Sequence, residues 1–179
     1  MLVLQADDQF AGPEVLEICY SLLKKERYDI HSFPVIRLEP SHRKTLYKPV
    51  KILFWYHFKT IFPHQGAFVH RRVYERIGNF REDLTIALDY DFFYRALKSR
   101  CEVKFHEYPV AIMGTTGISS NRDFLLKRLK EEVEVRTRNE ANPMWKSIQL
   151  LFQKLYLPYK TRLIPYWHAH SKASGAQHD

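Results

Sequence analysis

His64-Gln65-Gly66-Ala67-Phe68-Val69-His70-Arg71-Arg72-Val73-Tyr74-Glu75-Arg76-Ile77-Gly78-Asn79-Phe80 leads, through Arg81-Glu82-Asp83-Leu84-Thr85-Ile86-Ala87, into Leu88-Asp89-Tyr90-Asp91-Phe92-Phe93-Tyr94-Arg95-Ala96. Ala67 to Val69 is apolar and strand-prone. Val73, Tyr74 and Ile77 then set a short helical pattern, which Gly78 stops as a helix C-terminal residue. After a loop, a second helix is expected to open near Asp89, with Phe92, Phe93, Ala96 and Leu97 on its apolar face.

The two aspartates at the start of that helix differ in placement. Asp91 has Arg95 four residues later, so the spacing predicts an exposed helical ion pair contributing about 0.3–0.5 kcal/mol. Asp89 stands three and four residues before Phe92 and Phe93, at the edge of the buried face. A carboxylate beside aromatic rings suits a general base, while the first turn of a helix favours the bare anion. Spacing alone favours Asp89 as a simple N-terminal capping residue.

The run from His64 to Arg95 resembles the acceptor-side segment of family 2 glycosyltransferases, inverting enzymes of the GT-A fold. That family has a strand and short helix ending in Gly-x-Phe-(Asp/Arg)-Glu, followed by an acidic-Asp-Tyr-Asp helix start. The corresponding residues here are Gly78-Asn79-Phe80-Arg81-Glu82 and Leu88-Asp89-Tyr90-Asp91, with Leu88 where the family often has Glu. The resemblance puts the catalytic base at Asp89. It also implies that His64 and Gln65 lie near the donor sugar, where the family often has a His-Gln pair. A lone histidine is otherwise more often a structural residue.

A second motif precedes the first. Met1-Leu2-Val3-Leu4 is a short apolar run, expected to be a buried strand, and Gln5-Ala6-Asp7-Asp8 follows it at once. Carboxylates at the C-terminal end of such a strand stand where open α/β sheets place ligands, and divalent cations take oxygen donors of this kind. Asp-Asp is also common in turns. The stretch Leu4 to Phe10 resembles the DxD-type motif of the same family. On that resemblance Asp8 would hold a divalent cation, Mg or Mn, and Asp7 would face the nucleotide-diphosphate sugar. Gly117-Ile118-Ser119 partly matches a family Gly-Gly-x-Ser loop, which makes Gly117 and Ser119 donor-binding candidates. Otherwise Ser120 reads as a helix cap.

The resemblance covers Leu2 to Ser120 and implies an incomplete GT-A, Rossmann-like mixed sheet with flanking helices. In the family a nucleotide-binding βαβ half precedes the carboxylate strand, so the chain is expected to be the acceptor-side part of a longer protein. Residues 1–120 would form that part, 121–170 a helical, basic-aromatic extension, and 171–179 a small, polar, disordered tail.

The remaining sequence bears on fold and partners. With 179 residues, 45% of them apolar, the chain can bury a sizeable core. Its two cysteines imply no disulfide framework, and Cys19 reads as core. Gly12-Pro13-Glu14 opens a helix with Val15, Leu16, Cys19, Leu22 and Leu23 on one face, closed by Lys24, Lys25 and Arg27. Tyr28 to Glu39 reads as strand interrupted at Pro34. Two more strands are expected at Cys101–Phe105 and Val110–Met113. A helix follows to about Asn139, with Leu125, Leu129 and Val133 on one face and Lys127–Glu131, Lys130–Glu134 and Glu132–Arg136 as spaced pairs.

The net charge of +8 calls for an anionic partner. Ser41 to Pro63 and Pro143 to Trp167 interleave lysines and arginines with aromatic residues and contain no acidic residue. Such stretches suit a membrane interface, a phosphate-lined channel or a single-stranded nucleic-acid groove, or simply a packed helix with solvated lysines. No leader pattern or spanning apolar run occurs. The expected setting is therefore cytoplasmic, peripheral on the inner face of the cell membrane. The partners would be a nucleotide-sugar donor, a sugar or lipid-linked acceptor and an anionic membrane surface. Nucleic acid is not expected, because no nucleic-acid motif is present. The alternative from another class is a non-enzymatic basic module binding nucleic acid or an anionic membrane, which leaves Asp7, Asp8 and Asp89 without a role.

Overall fold

A computed structural model describes residues 1–4, 8–39, 41–114 and 124–159. Among them are two mixed sheets and five α-helices, an α/β arrangement. Strands β1 (Gln9–Phe10), β3 (Val35–Leu38), β4 (Lys44–Tyr47) and β7 (Ala111–Gly114) form one sheet in the order β1-β7-β3-β4. Strands β5 (Ala67–Val69), β2 (Ile30–Ser32) and β6 (Val103–Phe105) form the other, in that order. Each sheet holds one parallel pair, β3 with β7 and β2 with β6, and its other pairs are antiparallel.

Pro34 is where the chain leaves one sheet for the other. It has no N–H to offer a ladder, so β2 ends at Ser32 and β3 begins at Val35. Its carbonyl still accepts from Val110 N at 3.1 Å, beside the start of β7. The interruption expected at Pro34 is therefore present.

Helices α1 (Val15–Lys25), α2 (Arg71–Ile77) and α3 (Leu88–Lys98) follow the sequence expectation closely. Helix α1 packs Val15 and Cys19 against Phe33, Val35 and Ala111, but Leu16 is exposed and drops out of the expected face. Burial raises the Cys19 thiol to about 11. Helix α2 ends at Gly78, whose φ of 80° lies in the left-handed region that glycine tolerates. Helices α2 and α3 close over the three-stranded sheet through Val73, Phe92, Phe93 and Ala96.

Helix α4 (Leu125–Asn139) lies on α3, with Val135 packed among Leu84, Tyr90 and Tyr94. Helix α5 (Pro143–Pro158) packs on α4, its first turn capped by Asn142, which accepts from Met144 N and Trp145 N. It is one continuous helix as far as Pro158.

Two expectations change. Met1 to Leu4 is not a buried strand: Met1 shares two backbone hydrogen bonds with Val69 of β5, while Met1 and Val3 face solvent. The segment covers Leu2 and Leu4 in part, Leu4 against the cluster that holds Val15 and Cys19. Asp91 is not an exposed partner of Arg95 either, but fully buried. Its Oδ2 accepts from Arg95 Nε at 2.7 Å and its Oδ1 from Asn139 Nδ2 at 2.9 Å. Arg95 donates onward to the carbonyls of Ile77 and Asn79.

Removing one partner of a buried pair leaves the other charge uncompensated. Asp91→Ala is therefore expected to cost about 3 kcal/mol rather than a few tenths. Urea unfolding followed by circular dichroism checks this. A midpoint within error of the unsubstituted protein would return Asp91 to the surface-pair class.

Candidate functional site

Helix α3 begins at Leu88 behind Ala87, a residue with no side chain able to cap the exposed N–H groups. The cap comes from another helix. Glu131 of α4 is buried, and its Oε2 accepts from the N–H groups of Thr85, Ile86 and Ala87 at 3.2, 2.7 and 2.9 Å. Lys127, expected to pair with Glu131, instead donates to Thr85 Oγ1 at 3.1 Å. A carboxylate also complements the positive end of α3.

Asp89 stands in the first turn thus fixed, and its two oxygens have different neighbours. Oδ1 accepts from Tyr90 N at 2.7 Å. Oδ2 faces His64 Nδ1 at 3.6 Å, with both side chains about one-quarter to one-fifth exposed. At that distance there is no direct hydrogen bond. Asp89 is thus not the N-cap residue, which is Ala87, although its Oδ1 takes up one N–H of the first turn.

His64 belongs to a single 3-10 turn, His64–Gly66, which Pro63 leads into and β5 continues. The turn is held against β2: Phe33 N donates to Gly66 O at 2.8 Å. A Cβ at Gly66 would lie 2.3 Å from the Phe33 carbonyl oxygen, so only glycine permits this approach. Gln65 is buried within the turn.

Asp8 lies half-buried immediately before β1, where Gln9 pairs with Ile112 of β7. It therefore enters a strand of the four-stranded sheet rather than leaving one. Asp7, Gly117 and Ser119 lie outside the described residues. Among the described residues no group of three His, Cys, Asp or Glu side chains could together hold a metal ion. Asp8 could hold one together with oxygens from a ligand and water, a usual arrangement for Mg bound to a phosphorylated substrate.

The sequence points to His64 and Asp89 separately, and the structure brings them together. Glu131 goes unread because i,i+4 arithmetic assigns it to Lys127. The available signal is the uncapped start of α3, which requires an acceptor from elsewhere.

Glu131→Ala orphans three N–H groups and is expected to cost about 2–3 kcal/mol. Glu131→Gln, which keeps an accepting oxygen, should lose much less. Thermal melts of the two variants check the cap, and equal losses would show that it is not the source of the stability.

The chain matches no protein-family model and no curated protein.

Proposed function

We propose that this chain carries the acceptor side of a GT-A-like glycosyltransferase, moving a sugar from a nucleotide-diphosphate sugar to an acceptor hydroxyl with inversion. The observation that supports it is the divided carboxylate of Asp89. One oxygen is tied to Tyr90 N, which fixes the group's orientation, and the other lies 3.6 Å from His64 Nδ1 on a side chain one-quarter exposed. A carboxylate so arranged keeps a lone pair for an incoming hydroxyl.

In this reading Asp89 Oδ2 takes the proton of the acceptor hydroxyl as its oxygen attacks the anomeric carbon. The bond between that carbon and the diphosphate breaks, and its electron pair leaves with the nucleotide. A single displacement from the face opposite the leaving group inverts the carbon. His64 lies beside that oxygen and would hydrogen-bond a substrate hydroxyl, a positioning role, with Gln65 next to it in the same turn. Asp8, with Asp7 beside it in sequence, would hold a divalent cation on the donor's diphosphate, and that ion would offset the leaving group's charge. The acceptor would be a sugar or a lipid-linked sugar, the product a surface polysaccharide or glycolipid.

Asp89→Asn keeps the oxygen that accepts from Tyr90 N and removes the base. It is expected to lower transfer by about 10²–10⁴-fold with folding unchanged. Release of nucleoside diphosphate from a panel of nucleotide sugars, alongside circular dichroism, is the check. Near-normal turnover in a folded variant removes Asp89 from the base role.

Asp8→Ala is expected to abolish the metal dependence of donor binding. Calorimetric titration of a nucleoside diphosphate with and without Mg or Mn reads this directly. The same metal-dependent affinity in variant and unsubstituted protein would sink the assignment.

A further inference from the structure

Helix α5 has two apolar faces, and the described residues cover only one. On the inner face the Trp145 ring stacks on His57 at 5.1 Å, and Phe152 lies 4.8 Å from Phe58. Gln149 donates to His57 O at 3.2 Å and to Tyr94 Oη at 3.0 Å. The outer face carries Met144, Ile148, Leu151 and Leu155, spaced four, three and four residues apart, so they form one stripe. Their exposures are 64%, 40%, 59% and 68%. A second element extends this surface: the 3-10 turn Leu53–His57 exposes Phe54 and Trp55, and Phe54 lies 5.9 Å from Trp145, beside the first residue of the stripe.

We propose that the outer face of α5, together with Phe54 and Trp55, docks on an anionic lipid surface. Charge supports this occupant. Helix α5 contains Lys146 and Lys154 and no acidic residue, and neither lysine forms an ion pair among the described residues. Lys59, at the edge of the turn, lies over the Trp55 ring at 5.2 Å. Several cations elsewhere are paired within the protein: Glu107 holds Lys48 and Lys51, and on α4 Arg128 and Arg138 face Glu132 and Glu134. A two-fold contact with a second copy would set this face against itself and bring lysines towards lysines. A bilayer interface instead offers apolar depth to the leucines, headgroup level to the tryptophan and anions to the lysines, which can reach them from a buried stem. No helix among the described residues is long and apolar enough to cross a membrane, so α5 would lie in the interface plane. The proposal makes no use of His64 or Asp89 and stands apart from the transfer reading.

The test is co-sedimentation of the full chain with vesicles of phosphatidylcholine alone and of an equimolar mixture with phosphatidylglycerol, at low and high salt. Binding to the anionic vesicles, weaker in salt, is expected. Lys146→Gln with Lys154→Gln should lower partitioning about fivefold per lysine at low salt. Leu151→Ser with Leu155→Ser, both at exposed positions, should lower it at least about tenfold. Circular dichroism confirms that each variant is folded. Equal binding to both lipids, no binding to either, or binding unchanged in both double variants overturns the proposal. So does a dimer in sedimentation velocity that the serine substitutions dissolve, which would assign the stripe to a second copy.

Discussion

A carboxylate with no exposed surface, Asp91, is the point on which the helical half of the structure depends. Its two oxygens take a guanidinium N–H from one side and an amide N–H from the other. The guanidinium belongs to Arg95 of the same helix and reaches the end of α2 through the carbonyls of Ile77 and Asn79. The amide belongs to Asn139, the last residue of α4. One buried charge thus fixes three helices relative to one another. A buried ion pair adds little net stability against a well-packed apolar alternative. What it supplies here is position, because the apolar contacts of α3 alone would tolerate a shift along the helix axis that the hydrogen bonds do not.

Other charged side chains extend this arrangement. Arg136, 1% exposed, donates to Phe58 O at 2.8 Å and to Gln153 Oε1 at 2.6 Å, joining α4 both to the segment after the Leu53–His57 turn and to α5. Glu131 closes the start of α3. Helix α4 thus uses its charged residues as internal fasteners, and its buried face reads Leu129, Glu131, Val135, Arg136 rather than the Leu125, Leu129, Val133 stripe that apolar spacing predicts. Of the three spaced pairs expected on α4, Glu132–Arg136 is present at 4.0 Å. Glu131 turns to the 85–87 loop instead, and Glu134 pairs with Arg138.

These residues show why part of the fold was legible and part was not. Proline, glycine and helix-end signals act locally, so Pro34, Gly78 and the limits of α1 to α3 could be read from neighbouring residues. The stretch from Ser41 to Pro63 was less tractable. It forms β4 and a short 3-10 turn rather than a helix, because Pro49 divides it and its aromatics split between core and surface: Phe58 and Phe62 inward, Phe54 and Trp55 outward. Spacing rules give Asp91 its partner Arg95 but miss its burial, and they misplace Glu131, for one reason. They count partners along one helix, whereas a carboxylate facing inward finds partners on other elements, here 48 and 44 to 46 residues away.

The candidate site follows from the same anchoring. Asp89 is carried by a helix turn held by Asp91 and Glu131, while His64 is carried by a turn that Gly66 locks against the Phe33 backbone. The two side chains are therefore positioned by independent supports, one in the helical layer and one at the edge of a sheet. Neither needs the other to keep its place. Two groups that relied on each other would close to a direct hydrogen bond, and the carboxylate oxygen would be occupied. Held apart at 3.6 Å, they leave that oxygen beyond direct hydrogen-bond reach of the ring, which is what the base role proposed for Asp89 requires.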